Sequence, residues 1–212
     1  MEGCFIAGTD SGCGKTHVCA ALLRDFRARG VPAVGCMPVS CGDRRDARLL
    51  RDAMGAPAQP LDLVNPVHLR TVAAPLMAAE LEGRTLSLDE LEKSCRTMAE
   101  QGSPLLVDSC GSWSTPLAPG VIVGDLAVRL QLPVILVVAN RLGAVGQAAM
   151  AVNAMRLARV NCRGVVLNST SDEWDTACVT NAGLIERCTG VPVLAQLISG
   201  QDDVDSNALQ SN

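Results

Sequence analysis

The sequence predicts an α/β domain built on a doubly wound, mostly parallel sheet. Short apolar runs alternate with amphipathic stretches along the whole chain, and most runs end in a Gly, Ser or Asn turn. The core must come from Val, Leu, Ile, Ala and Met, because 48% of the 212 residues are hydrophobic but only 2% are aromatic. Continuous runs of small aliphatic residues suit strands that helices cover on both faces.

The elements follow in order. Cys4–Gly8 reads as the first strand and 15–29 as the helix behind it. Ala33–Met37 is a second strand, with a helix over 43–54. Helices are predicted over 71–82 and 87–101, the second opened by Ser87 with Glu90 three residues on, the spacing of a capping box. Leu105–Asp108 is a strand, 123–131 a helix, and Val134–Ala139 a strand leading to a helix over 146–160. Gly164–Leu167, a helix over 175–188 and Val193–Leu197 complete the alternation. Residues 1–198 read as one domain and 199–212 as a polar C-terminal tail.

Composition narrows the function. A net charge of −4 and a pI near 5.2 argue against a nucleic-acid partner, which would select a basic face. No apolar run reaches the roughly 18 residues of a membrane span, and the start MEGCFIAGTD lacks the basic region of a signal peptide. The expectation is a soluble cytoplasmic protein with neither membrane nor nucleic-acid partner. Ten cysteines include no C-x-x-C pair, and only His17 and His68 add imidazole, so they read as reduced core residues rather than a zinc site.

Chemistry concentrates at strand ends. Gly8-Thr9-Asp10-Ser11-Gly12-Cys13-Gly14-Lys15-Thr16 lies between a strand and a helix and is a phosphate-binding loop of the G-x(n)-G-K-[ST] type. Its glycines let backbone N–H groups curl around an anion at the positive end of the helix. Ser11, Gly12, Cys13, Gly14, Lys15, Thr16 and His17 form the nucleotide-contacting stretch, with Lys15 for the β- and γ-phosphates and the Thr16 hydroxyl for Mg²⁺. Only two of the 18 basic residues are lysines, which makes Lys15 hard to dismiss. Asp108 ends an apolar strand as a carboxylate for the metal should, and Asp43 or Asp46 is the other candidate, a choice that spacing leaves open. The small-residue loop 109–117, Arg141 after the fourth sheet strand and Asn168 after the fifth are further candidates.

These segments, in this order, resemble the dethiobiotin synthetase family among the P-loop NTPases. Gly8–Thr16 is similar to its G-T-D-x-x-x-G-K-T. Gly35–Gly42 is similar to G-x-K-P-V-x-S-G, Val64-Asn65-Pro66 with Ala74-Pro75 to V-N-P … S-P-H, Asp108–Leu117 to E-G-A-G-G-W-x-x-P-L, and Pro133–Val138 with Leu142-Gly143 to P-V-I-L-V-V … L-G.

The resemblance implies ATP and Mg²⁺ as cofactors, a small-molecule substrate pair of 7,8-diaminopelargonate and CO₂, and a homodimer with substrate at the subunit interface. It implies catalytic roles for Lys15 and Thr16, metal binding by Thr16, Asp46 and Asp108, nucleotide contacts from Asp108, Gly111 and Asn168, and substrate contacts from Cys41 and Ser112. Arg141 joins the substrate side by its place after the strand 134–139, where anionic groups pass. The chain departs from the pattern in places. Met37 occupies the position of the family lysine, Cys41 that of a serine, Gly12 that of an acid, Leu76 that of a histidine, and Asp108 that of a glutamate. A related ligase with a changed substrate, or a nucleotide-binding pseudoenzyme, therefore stands beside the synthetase reading. A MinD/ParA-type ATPase fits less well, since Asp10 lies where that loop carries an extra lysine.

Overall fold

The computed structural model describes residues 2–171 and 175–201. The chain runs β1 (Gly3–Gly8), α1 (Lys15–Ala28), β2 (Val34–Cys36), β3 (Val39–Cys41), α2 (Arg45–Met54), α3 (Leu61–Val64), β4 (Val67–Leu69), α4 (Pro75–Leu81) and α5 (Leu88–Ala99). It continues β5 (Leu105–Asp108), β6 (Pro116–Ala118), β7 (Val121–Ile122), α6 (Val123–Leu130), β8 (Val134–Ala139), α7 (Ala144–Leu157), β9 (Cys162–Asn168), α8 (Thr176–Thr189) and β10 (Val193–Leu197).

Six strands form one parallel sheet in the order β10-β9-β8-β1-β5-β2. β1 is central, with Ile6 in register with Asp108 of β5 on one side and Ile135 of β8 on the other. Winding passes outward from β1 in both directions, so the strand order reverses there and leaves a crevice at the C-terminal strand ends. β1, β5 and β8 are buried along almost their whole length, as a sheet covered on both faces requires.

Several boundaries differ from expectation. α4 begins at Pro75 rather than at 71, because proline disfavours helical geometry in the residue before it and sits well in a first turn. α2 begins at Arg45, after Asp43 has turned its carboxylate onto the Arg45 N–H at 2.8 Å. α7 runs over 144–157 rather than 146–160. Ser87 caps α5 by accepting from the Asp89 N–H, but Glu90 does not complete a capping box and pairs instead with Arg84 at 2.6 Å. Of the 199–212 tail, residues 202–212 lie outside the described residues.

Two small sheets carry no periodicity signal. β3 and β4 pair in parallel and β6 and β7 antiparallel, each strand only two or three residues long. The β3–β4 unit is tied to the main sheet by Asn65, which is almost fully buried. Its amide donates to the Met37 and Val67 carbonyls at 2.8 and 3.2 Å, and its oxygen accepts from Ser40 Oγ at 2.8 Å and Arg44 Nε at 3.2 Å. Removing this side chain orphans four groups at once. Asn65→Ala is expected to destabilise the fold by about 3 kcal/mol, read as a lowered urea midpoint with an unchanged m-value.

Candidate functional site

A cavity of about 700 Å³ opens at the C-terminal ends of β1 and β5, within the size range of small-molecule sites. On one side lie Ser11, Gly12, Gly14, Lys15, Thr16 and His17. Gly12 and Gly14 take φ of +76° and +94°, a backbone that other residues rarely adopt. Lys15 is the first residue of α1, so its N–H and those following have no partner inside the helix and face the anion position. Its ammonium spans the loop to donate to the Asp10 carbonyl at 3.0 Å, held near where a phosphate would take its place.

Behind the loop, Asn168 donates from Nδ2 to the Cys13 carbonyl at 3.0 Å. A Cβ on Gly14 would lie 2.0 Å from that nitrogen, so only glycine admits the brace. Asn168 is thus buried beneath the loop. His17, at the nucleotide end, lies with Nε2 2.6 Å from the carbonyl oxygen of Gln201, which brings the turn after β10 over the start of α1.

The floor is Asp108. It is fully buried, and its Oδ2 accepts from Thr16 Oγ1 at 2.6 Å while Oδ1 has no hydrogen-bond partner among the described residues. Burial raises its pKa from the ordinary carboxylate value to about 7; the Thr16 bond and Lys15 oppose the rise and the charge of Asp46 adds to it. Asp43 and Asp46 both line the cavity, but Asp43 spends both oxygens on Arg45, at 2.8 and 2.7 Å, whereas Asp46, in the first turn of α2, acts on Asp108. The geometry therefore favours Asp46 over Asp43. No three His, Cys, Asp or Glu side chains gather as a metal cluster among the described residues. Two carboxylates and a hydroxyl nonetheless fit Mg²⁺, a hard ion that keeps several waters and takes phosphate oxygens for the rest; the orphaned Oδ1 is the atom such an ion would satisfy.

The opposite side is mostly apolar or thiol: Met37, Val39, Cys41, Leu49, Val72 and Pro75 among others. Met37 is 5% exposed, its N–H donating to the Val64 carbonyl at 2.7 Å. Burial pushes the Cys41 thiol up to about 11 and the Cys110 thiol up to about 12, so both are neutral at physiological pH and neither is an activated nucleophile.

Known proteins bear on this geometry. A family model, AAA_26, described as an AAA domain, matches residues 2–205. The chain is 39% identical over 209 residues to the ATP-dependent dethiobiotin synthetase BioD of Akkermansia muciniphila, covering 99% of this chain and 98% of that protein. It is 37% identical to the protein of the same name from Anaeromyxobacter dehalogenans strain 2CP-C, over 93% of this chain and 90% of the relative. The chain belongs to the dethiobiotin synthetase family. Solved structures resemble it in fold: the MinD cell division protein of Aquifex aeolicus, with a TM-score of 0.58 at 13% identity over 95% of this chain and 83% of that one, and a ParA family ATPase of Chlorobium tepidum TLS, at 0.53, 13%, 99% and 86%. At such identity they establish the P-loop NTPase fold alone.

Within this dethiobiotin synthetase homologue the cavity gathers Ser11, Gly12, Gly14, Lys15, Thr16, His17, Met37, Cys41, Asp46 and Gly111, with Asp108 directly beneath. Cys13 contributes from behind, through its carbonyl. Ser112 and Arg141 lie off the cavity lining. Ser112 donates its N–H to Thr115 Oγ1 at 2.7 Å, and Arg141, about half exposed, faces Asp10 across 4.0 Å. Sequence reasoning missed Val39, Leu49 and the wall at 72–74, since these depend on β3, on the cavity-facing side of α2 and on the turn before α4. The proline at 75 was the available signal for that turn.

The Asp108 pKa carries a stability consequence. An acid whose pKa is raised on folding binds more protons when native, so the stabilisation is complete below the unfolded value and is lost as pH rises through the folded one. The metal-free chain is expected to melt at higher temperature as pH falls from 8 towards 5, and Asp108→Asn to flatten that window, as followed by thermal denaturation at several pH values.

Proposed function

We propose that this chain is an ATP-dependent dethiobiotin synthetase. A diamine nitrogen attacks CO₂ to form a carbamate, and a carbamate oxygen attacks the γ-phosphorus with loss of ADP. The second amine then attacks the carbonyl of the mixed anhydride and expels phosphate, closing the cyclic urea. Full-length similarity to proteins named for this activity is the observation that carries the reading. A single cavity joining a phosphate loop to an apolar wall supports it.

In this reading the P-loop amides and Lys15 hold the triphosphate, and Lys15 follows the charge that moves onto the transferred group. Thr16, Asp46 and Asp108 would hold Mg²⁺, which supplies charge neutralisation to the phosphates. The apolar wall from Val39 to Val72 takes the carbon chain of the diamine, and Cys41 lies beside it as a neutral thiol. Gly111 lines the nucleotide side, and Asn168 serves by bracing the loop. We further read residues 1–198 as one unit and the active species as a cytoplasmic homodimer. Val72, exposed on the cavity lining, and the exposed Met77 and Leu81 of the neighbouring α4 support a second copy packing there. No helix among the described residues is long and apolar enough to cross a membrane.

One observation favours a second reading, a family member acting on another acceptor: Met37 lines the cavity where the family pattern has lysine. Phosphate release with MgATP and bicarbonate separates the two. The synthetase reading expects release that depends on 7,8-diaminopelargonate and falls about 10²–10³-fold in Lys15→Ala, the loss of one preorganised charge donor. ATP binding with no diamine-dependent release overturns it in favour of a changed acceptor or of nucleotide binding without catalysis.

A further inference from the structure

The outer wall of the acceptor half is the turn 70–74 between β4 and α4, which presents Val72, Ala73 and Ala74 to the cavity. It has little to hold it in place. Val72 is 88% exposed, and a single bond within the turn, from the Ala73 N–H to the Thr71 carbonyl at 3.1 Å, shapes its backbone.

The anchor comes from the far end of α4. Glu82 is the C-terminal capping residue of that helix, and its Oε1 accepts from the Thr71 N–H at 2.7 Å. The bond from the Thr71 N–H does most to hold the pKa of this carboxylate below the usual range, with smaller help from the Thr71 side chain and from the backbone and charge of Arg70. A carboxylate at a helix C-terminus faces the negative end of the macrodipole and gains nothing there from its own helix. Its compensation is the charge-assisted bonding to the turn.

The turn in turn rests on the substrate strand. A Cβ on Gly42 would lie 3.2 Å from Val72 Cγ2, so Val72 closes directly over the residue after Cys41. Gly42 is fixed from the same side, its N–H donating to the Leu69 carbonyl at 2.8 Å and its carbonyl lying 2.7 Å from His68 Nε2. A continuous set of contacts thus runs from Glu82 through Thr71 and Val72 to Gly42 and Cys41.

We propose that Glu82 is a positioning residue for the acceptor substrate: it holds the 70–74 turn closed against Gly42 and so sets the width of the apolar wall that grips the acceptor's carbon chain, without contact to the nucleotide. The substrate named in this inference rests on the synthetase reading above; the positioning does not.

Two measurements on the full chain test it, with Glu82→Ala and Glu82→Gln. In the first, iodoacetamide labels the free thiols and mass spectrometry follows Cys41 and Cys110, both partly exposed on the cavity. Opening of the turn in Glu82→Ala should speed Cys41 labelling about threefold to tenfold and leave Cys110 unchanged. Glu82→Gln, which keeps an acceptor but removes the charge that helps raise the Cys41 thiol, reports the charge effect alone and should speed it by less; equal acceleration in both variants overturns the proposal. In the second, Glu82→Ala should raise KM for 7,8-diaminopelargonate about tenfold with KM for MgATP within about twofold. Unchanged Cys41 labelling overturns the proposal whatever the activity does. Faster labelling with an unaltered diamine KM overturns its link to the acceptor, and a joint rise of both KM values reduces Glu82 to scaffold. If the native chain shows no diamine-dependent release, the synthetase reading fails by itself and labelling still decides the role of Glu82.

Discussion

The hydrogen bond from Thr16 to Asp108, 2.6 Å long and buried at the end of β5, is the interaction on which the site is organised. It joins the first turn of α1 to the strand beside β1, and so fixes the C-terminal end of the P-loop, whose other end is held by β1 itself. The contact exists because the sheet is parallel and doubly wound. β1 and β5 run in register, so both chains leave the sheet on the same side, and a short loop from one meets the carboxylate of the other. The cost is a desolvated acid with one oxygen unpartnered. In a folding sense that atom is a defect; as a place for a hard cation it is a reason for the arrangement.

Two asparagines extend the same logic to either half of the cavity. Asn168 at the end of β9 fixes the nucleotide loop through the Cys13 carbonyl, and Asn65 fixes the acceptor strand through the Met37 carbonyl. Both are buried, and both satisfy backbone groups that the sheet cannot reach. The outermost wall lies beyond these braces and depends on a surface carboxylate instead. Rigidity therefore declines from the phosphate end, where displacement by a fraction of an ångström costs catalysis, towards the acceptor end.

The six sheet strands and the P-loop were legible because each is a local pattern: an apolar run, then glycines around a lysine. Three of the strands, Leu105–Asp108, Val134–Ala139 and Val193–Leu197, begin and end where their apolar runs do. β3 and β4 were not legible, since a three-residue strand shows no periodicity and its pairing is decided by Asn65. The turn at 71–74 was read as helix because its alanines and valine continue the α4 pattern, and Pro75 was the contrary signal. Ser112 was placed by motif alignment and Arg141 by its place after a strand end; either signal fixes a position along the chain but not the direction of a side chain. Asp46 was preferred to Asp43 on resemblance and not on spacing, and the physical reason shows only in the structure: Arg45 occupies Asp43.

The departures at Gly12 and Met37 look like losses when taken singly. In space both line the same cavity, and they remove one charge of each sign relative to the family pattern. A lysine lost alone would leave a P-loop acid facing a triphosphate, a repulsion that low dielectric strengthens. An acid lost alone would leave a desolvated ammonium beside the apolar wall. With both gone, the formal charge of the wall is the same and neither residue is left as an unpaired ion in a partly dry site. Lys15 then remains the one lysine or arginine among the lining residues, directly at the helix N-terminus. In the proposed reaction the neutralisation of transferred charge would fall on that ammonium, the loop amides and a cation held by Asp108 and Asp46.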